Sequence, residues 1–240
     1  MQFKLSLATL ALAAASLVSA ANEINHDQVQ SFPQINPTSA SDRVAIRFNP
    51  SLHVGNGCYP YAAVQANGDW SGGLAPTGAP SAACKDQTKP GQVYVRSKWY
   101  RGKWAIVYSW YFPKDVVSSG IGHRHDWEGA IVWIDNPAAA NPKILGASAS
   151  AHGHWRNYVP VPGADRDGDT VKIQYSAEGI NSHANDLTDK GGRRYPVITW
   201  EALPDIAKRG LDGHSWGDAN PLIIDANFDN NLAKAYPFSS

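Results

Sequence analysis

A short acidic and histidine-rich segment is the part of this sequence best suited to chemistry. Gly122–Gly129 reads GHRHDWEG and places five ionisable side chains within six residues, directly before an apolar run. If the segment is extended, successive side chains point to opposite faces, so Asp126 and Glu128 share one face. Two carboxylates on one face repel each other unless a cation or a shared proton lies between them. The segment therefore predicts a cation site.

A third carboxylate and a histidine are expected to join this pair. The preceding strand is expected to end at Pro113, and a loop over Val116–Gly122 would fold back so that Asp115 meets Asp126. His123 would then lie on the same glycine-containing loop. Hard oxygen ligands favour Mg²⁺ or Ca²⁺, with Mn²⁺ as a further candidate.

Two other interpretations of the same segment remain open. The first is zinc, because His123 and His125 have a common zinc-ligand spacing and share a face in a strand. A third nitrogen could then come from His152, His154 or His183. The second is a surface network without metal, in which Arg124 neutralises the acids.

Other motifs that could support chemistry are weaker. Asp165–Asp169 is similar to the start of a calcium-binding EF-hand loop, but its glycine comes two positions early and Ser176 stands where the loop needs glutamate. A polar hairpin turn is the better interpretation. The sequence has no Gly-x-Ser-x-Gly and no His-Glu-x-x-His motif. A metal-dependent hydrolase, with Glu128 or His123 as the base, remains an alternative.

The elements that must position these residues are mainly short strands. Lys103–Phe112 alternates between a face of five large apolar side chains and a second, more mixed face, and is interpreted as a strand with both faces at least partly covered. Further strands are expected at 93–100, 130–135, 144–151, 171–175 and 195–199. Helices are expected at Trp200–Arg209, with Thr199 as its cap and Gly210 as its end, and near Asp229–Ala235. Many short strands separated by turns indicate a mostly β sandwich or barrel.

The amino terminus is typical of a secretory signal. Lys4 precedes an apolar run that reaches about Val18, and Val18-Ser19-Ala20 provides a small-residue cleavage site. We expect a signal peptide at 1–20 and one mature domain at 21–240. The chain has 21 basic and 21 acidic residues, and losing Lys4 leaves one acidic residue in excess. No basic run is present, which argues against a nucleic-acid partner.

The chain contains two cysteines, Cys58 and Cys84. Behind a secretory signal, a disulfide between them is the simplest use, because secretion exposes them to an oxidising compartment. The segment between them is rich in glycine, proline and alanine, so a covalent link would restrain a loop with little core of its own. Metal ligation is the weaker alternative, since neither belongs to a Cys-x-x-Cys pair.

The residues introduced above also carry a family resemblance. Ala105–Asp115, which reads AIVYSWYFPKD, followed by GHRHDWE at Gly122–Glu128, resembles the signature of the necrosis- and ethylene-inducing peptide-like proteins of fungi, oomycetes and bacteria. The likeness extends from about Ile24 to Trp216–Pro221. With only two cysteines, the chain resembles the two-cysteine, type 1 branch of that family.

The resemblance implies a fold and a function. The fold would be a single-domain β-sandwich with flanking helices, similar to actinoporins and fungal fruit-body lectins. The implied function is that of a secreted, non-enzymatic toxin. It would bind glycosyl inositol phosphorylceramides of plant plasma membranes with the help of a divalent metal, and then permeabilise the membrane. The stretch Ala105–Glu128 would also resemble the pattern that plant immune receptors detect.

The resemblance further assigns roles within the site. Asp115 and Asp126 match direct metal ligands, and His123 and Glu128 match residues that support the metal through water or hydrogen bonds. His183 matches a further histidine of the site. The chain departs from cytolytic members of the family in one place, because Ala177-Glu178-Gly179-Ile180 carries no tryptophan. A non-cytotoxic, lectin-like binder or immune elicitor is therefore the alternative function.

Overall fold

The fold is built mainly from β-strands, as the sequence predicts. The structure is a computed structural model that describes residues 21–179 and 182–239, so the expected signal peptide at 1–20 lies outside the described residues. The described residues form twelve strands and three α-helices. In chain order these are β1 Glu23–Ile24, α1 Ala40–Arg47, β2 Ser51–Val54, β3 Trp70–Ser71, β4 Val93–Tyr100, β5 Lys103–Ser118, β6 Ile121–Ile134, β7 Ile144–Ala151, β8 His154–Tyr158, β9 Arg166–Asp167, β10 Thr170–Glu178, β11 Ser182–Leu187, β12 Val197–Thr199, α2 Asp205–Asp212 and α3 Asp225–Ala235.

Two sheets pack face to face. The larger sheet has the order β12-β4-β5-β6-β7-β8, and the smaller one has the order β11-β10-β2, with β9 pairing to β10. Strand β11 packs against β5, β6 and β7, while α1 covers β4 and β12 and α3 covers β8. This arrangement is a β-sandwich with flanking helices, which confirms the predicted fold class.

The centre of the larger sheet is covered on both faces. Every residue of β5 from Ala105 to Val116 is buried. On one face, Phe112 stacks on Tyr175 of the smaller sheet with ring centroids 3.8 Å apart. On the other face, Tyr111 packs against Trp216. The continuous apolar pattern of this strand therefore reflects two covered faces.

The strand boundaries differ from the sequence prediction where the site is built. Strand β5 continues through Pro113 to Ser118, and β6 already begins at Ile121, so most of the expected loop at 116–122 is a β-hairpin. The proline is accommodated because the ladder has no paired residue at that position. The backbone oxygen of Pro113 accepts a hydrogen bond from Leu74 N instead.

The helix predicted at Trp200–Arg209 was misplaced. Helix α2 starts only at Asp205 and continues past Gly210, and Thr199 does not cap it. Pro204 directly precedes the helix, and a proline disfavours helical backbone in the residue before it. The carboxy-terminal helix was correctly predicted, although it starts four residues earlier, at Asp225.

Two local predictions are confirmed. Cys58 and Cys84 form a disulfide with 4.9 Å between their Cα atoms. The segment at 165–169 is a turn in which Arg166–Asp167 pairs with the start of β10, and Gly168 takes a positive φ of 57°. Within the described part of the chain, no helix is long and apolar enough to cross a membrane.

Candidate metal centre

The β5–β6 hairpin brings together the residues of the acidic segment. Its register pairs Asp115 with His123, Phe112 with Asp126 and Trp110 with Glu128. One ligand atom each from Asp115, His123 and Asp126 lies within 4.8 Å of the others. The predicted fold-back of Asp115 onto Asp126 is therefore confirmed, although strand pairing achieves it where a loop was expected.

A shared irregularity in both strands allows His123 and Asp126 to face the same point. These residues are three apart, so a regular strand would point them to opposite faces. His125 lies between them with a φ of +60°, and the ladder pairs residues on either side of Pro113 and His125 but not those two. The same step changes the alternation in β5, so that Asp115 faces the smaller sheet as Phe112 does.

Asp115 is oriented by His183 of β11. The backbone N–H of His183 donates to Asp115 Oδ2 at 2.9 Å, and His183 Nδ1 lies 2.5 Å from Asp115 Oδ1. Both residues are fully buried. His183 also stacks on Tyr175, with ring centroids 4.7 Å apart. This histidine therefore fixes the direction of the carboxylate from the opposite sheet.

The other two carboxylates also have hydroxyl partners. Tyr175 Oη donates to Asp126 Oδ2 at 2.7 Å, and Ser150 Oγ donates to Glu128 Oε2. The sequence did not single out Tyr175 or Ser150, because each lies in an ordinary apolar or small-residue strand far from the acidic segment. Only the pairing of strands and the packing of the two sheets show that these hydroxyl groups contact the carboxylates.

Burial and mutual repulsion make the carboxyl groups of Asp126 and Glu128 hard to ionise without a cation. Desolvation, and then the nearby charge of Asp115, raises the pKa of Asp126 to about 7. Desolvation, and then the charge of Asp126, raises the pKa of Glu128 well above its ordinary value. Within residues 21–179 and 182–239, no lysine or arginine forms an ion pair with any of the three acids. A divalent cation would supply the missing positive charge, so the donor set fits a hard metal ion.

The zinc alternative requires His125 beside His123, and the structure contradicts this. The His125 ring points away from the acids, with Nδ1 2.7 Å from the hydroxyl of Tyr111 and its ring against Trp216. His123 contributes its Nε2 side, 3.7 Å from Asp115 Oδ2, because its Nδ1 donates to the backbone oxygen of His125.

The structure also contradicts a surface salt-bridge network between Arg124 and the acids. Arg124, which was expected to neutralise the acids in that interpretation, donates to the backbone oxygen of Gly72. The acids are also buried, whereas a surface network would leave them in water.

The cluster lies in a cleft of about 430 Å³. His152, Trp155 and Ser182 line one side of this cleft, and Asn227, Asn230, Asn231 and Lys234 of α3 line another. Of the segment at 177–180, which carries no tryptophan, the described part ends at Gly179. Within it, Glu178 pairs with Arg156 at 2.5 Å and with His152 at 3.3 Å. Ile180 lies outside the described residues. The cleft is large enough for a ligand that extends well beyond the carboxylates.

Known proteins share both the fold and much of the sequence. NLP effector protein 3 of Phytophthora capsici is 48% identical over 97% of this chain and 98% of that protein. The crystal structure of non-toxic HaNLP3 matches with a TM-score of 0.87 and 39% identity, covering 90% of this chain and all of that one. The structure of NLPPya in complex with mannosamine matches with a TM-score of 0.85 and 45% identity over the same shares.

These matches first define a class, that of effector proteins with a toxin fold. Its members are toxins and effectors rather than enzymes, which confirms the prediction of a non-enzymatic protein and contradicts the hydrolase alternative. The model of the family described as necrosis inducing protein (NPP1) matches residues 42–235. This chain therefore belongs to the necrosis-inducing protein family, as its resemblance to the necrosis- and ethylene-inducing peptide-like proteins implied.

Proposed function

We propose that this protein is a secreted virulence toxin that binds the sugar headgroup of glycosyl inositol phosphorylceramides in plant plasma membranes and permeabilises those membranes. The observation that carries the proposal is a cluster of buried carboxylates that opens into a cleft and has no lysine or arginine partner among the described residues. A purely structural site would be closed, whereas this one leaves room for a ligand beside the cation. The sugar complex of a 45% identical relative supports a glycan as that ligand.

In this proposal Asp115 and Asp126 bind Mg²⁺ or Ca²⁺ directly, with Mn²⁺ as a further candidate. His123 and Glu128 support the ion through water or hydrogen bonds, and His183 orients Asp115. When bound, the ion would offer a positive contact to sugar hydroxyl oxygens. The hydrogen bonds from Tyr175 to Asp126 and from Ser150 to Glu128 keep both carboxylates directed into the cleft.

The proposal includes export and an extracellular site of action. Residues 1–20 would be removed as a signal peptide, and 21–240 would act as one necrosis-inducing protein domain at the host plasma membrane. The Cys58–Cys84 disulfide is consistent with an oxidising environment. Necrosis and an immune response would follow from membrane damage and from recognition of the Ala105–Glu128 stretch.

The second candidate function is that of a non-cytotoxic, lectin-like binder or immune elicitor. It is favoured by the 39% identical relative whose structure is described as non-toxic. It is also favoured by the absence of an aromatic residue at 177–180, directly before the His183 segment. The two candidates share the site and differ only in whether binding leads to lysis.

Dye leakage from vesicles made of plant plasma-membrane lipids tests the proposal. Leakage by residues 21–240 would be measured in the presence of Mg²⁺ or Ca²⁺ and in the presence of EDTA. The Asp126→Asn variant would be measured with the metal. Asp189→Asn is a matched control, because Asp189 is exposed and does not line the cleft. We expect leakage by the wild type and the control with metal, and none with EDTA or Asp126→Asn.

Binding to the same vesicles, measured by sedimentation, separates the two candidates. Metal-dependent binding without leakage would favour the non-cytotoxic function. A folded wild-type protein that shows neither binding nor leakage would contradict both.

A further inference from the structure

Helix α3 carries two different faces. Phe228, Leu232 and Ala235 are buried and attach the helix to the sandwich. The cleft-lining residues are Asn227, Asn230, Asn231 and Lys234, with the spacing i, i+3, i+4 and i+7 that defines one face of a helix. The second face therefore forms a continuous polar wall of the cleft.

This polar face is not explained by helix formation or by packing. Asparagine is a poor residue for a helix interior, because its side chain competes for backbone hydrogen bonds. Within the described part of the chain, the side chains of Asn230 and Lys234 have no hydrogen bond or ion pair to another residue. Contacts within the protein therefore do not explain the side chains of Asn230 and Lys234 on this face.

The neighbouring loop positions two of the amides. Asn227 Nδ2 donates to the backbone oxygen of Pro221 at 3.0 Å, and Asn231 Nδ2 donates to that of Leu222 at 3.3 Å. With the nitrogens engaged in this way, the carboxamide oxygens have no partner in the described protein and can accept hydrogen bonds. Asn230 has both its donors and its acceptor available. Such a set suits vicinal hydroxyl groups, each of which donates and accepts.

The charge distribution of the cleft is uneven. The lining includes Asp115, Asp126, Glu128 and Asp218, whereas Lys234 is the one lysine or arginine among the described lining residues. Lys234 lies one turn beyond the asparagines at the end of α3, where the helix dipole does not oppose a cation. Apart from the proposed cation, Lys234 is therefore the positively charged group that the described cleft lining offers to an anionic group of the ligand.

We propose that the α3 face of Asn227, Asn230, Asn231 and Lys234 is a second glycan subsite, distinct from the metal ligands, which binds ring hydroxyls through the amides and an anionic substituent through Lys234. The anionic substituent is a phosphate or a uronate attached to the polyhydroxylated headgroup. This subsite rests on the proposed function, because it binds the part of the same headgroup that extends away from the metal. It explains why the cleft is wider than a metal site requires.

The test uses residues 21–240 as wild type, Lys234→Gln and Asn230→Leu. Both positions are exposed, so neither variant removes a buried contact, and leucine forms helix better than asparagine. Lys190→Gln is a matched control, since it makes the same charge change at an exposed residue outside the cleft. Affinity for vesicles containing glycosyl inositol phosphorylceramide would be measured with Mg²⁺, and Mg²⁺ affinity would be measured separately by calorimetry.

We expect Lys234→Gln and Asn230→Leu each to weaken vesicle binding about tenfold, which corresponds to about 1.4 kcal/mol. Mg²⁺ affinity should be unchanged, and Lys190→Gln should bind vesicles like the wild type. Competition experiments with inositol 1-phosphate and with glucuronic acid identify the anion. The anion that the subsite binds should displace the wild-type protein from vesicles better than its neutral counterpart, inositol or glucose, does. With Lys234→Gln, the charged and the neutral competitor should be equally effective.

Two outcomes would overturn the inference, and they differ in what else they affect. Wild-type vesicle binding that both variants retain in full would eliminate the α3 subsite and leave the proposed function intact. Absence of vesicle binding by a wild-type protein that still binds Mg²⁺ would reject the proposed function, and the subsite with it.

Discussion

At the scale of single residues, the site is a set of acids whose charges are not balanced within the protein. Asp126 shows this most clearly, because it is buried, accepts one hydrogen bond from Tyr175 and lies close enough to Asp115 and Glu128 for their charges to repel. Such a residue lowers stability in its ionised form unless a cation is bound. The contribution of Asp126 to the stability of the protein should therefore depend on bound metal and on pH.

Replacing Asp126 with asparagine should separate stability from function. Asparagine keeps the shape of the side chain and removes the charge that is unfavourable without metal. We expect the melting temperature in EDTA to rise by a few degrees above that of the wild type, whereas the stabilisation by added Mg²⁺ or Ca²⁺ should disappear. Differential scanning calorimetry with and without metal measures both effects. A large fall in melting temperature in EDTA would show instead that the carboxylate is structural.

The metal-free protein should lose stability as the pH rises through neutrality. The pKa of Asp126 is raised to about 7 in the folded protein, against about 3.9 in an unfolded chain. A raised carboxyl pKa means that the folded state binds the proton more tightly than the unfolded state does. The stabilisation from that proton is complete below about pH 4 and is lost as the pH rises through about 7. Urea unfolding at a series of pH values in EDTA measures it, and Asp126→Asn should flatten the profile.

At the scale of elements, the β5–β6 hairpin depends on its irregular step. His125 has a positive φ, and its side chain is anchored by the hydroxyl of Tyr111, which also pairs with Ser71. This step brings His123 and Asp126 to one face. The backbone conformation at residue 125 is therefore a requirement of the site.

Substituting His125 with valine should damage both fold and site. A β-branched residue is strained at positive φ, and we expect a loss of about 1–3 kcal/mol of stability together with weaker metal binding. His125→Gly is the matched control, because glycine adopts this backbone without strain while also losing the side-chain contacts. Metal affinity that is better retained by the glycine variant than by the valine variant would support the backbone role. Equal affinities would assign the effect to the lost side chain.

The disulfide restrains a loop that contacts the turn of the same hairpin. Gly120 N donates to the backbone oxygen of Pro76, and the buried Lys114 ammonium donates to the backbone oxygens of Thr77 and Ala79. The loop between the cysteines therefore supports the end of β5 that carries Asp115.

Replacing Cys58 and Cys84 together with serine should lower the free energy of unfolding by about 3 kcal/mol, because the unfolded chain gains the entropy of the open loop. Urea unfolding of residues 21–240 measures the change. Unaltered stability would mean that the loop is ordered by its hydrogen bonds alone.

At the scale of the whole molecule, burial limits what a receptor can contact. The Ala105–Glu128 stretch forms the central hairpin, and its residues from Ala105 to Val116 have almost no exposed surface. A receptor that binds this stretch as an extended peptide has no access to it while the sandwich is folded.

A synthetic peptide of residues 105–128 should therefore trigger an immune response in responsive leaf tissue faster than the intact protein at the same concentration. The Asp126→Asn variant is the suitable form of the intact protein, because it should not lyse cells and so avoids a response to damage. Early oxidative burst is the measurement. An equally fast response to the folded variant would indicate a different, exposed epitope.

Much of the architecture could be predicted from local sequence. The bounds of β4 and β7 agree with the predicted runs at 93–100 and 144–151, because turn residues on either side limit each run. The start of α2 was predicted too early, at Trp200, because Pro204, which disfavours helical backbone in the residue before it, was not taken as the boundary. The disulfide could be predicted because the chain offers only one pairing.

By itself, the sequence determined which residue types the candidate site offers: GHRHDWE concentrates acids and histidines, and its acid-rich composition favours a hard cation. Tertiary structure decided which groups meet. The irregular step at Pro113 and His125 selects His123 over His125, and the packing of two sheets brings His183, Tyr175 and Ser150 to the carboxylates. The physical reason is that ligand types are properties of side chains, whereas orientation and burial arise from contacts between residues that are distant in the chain.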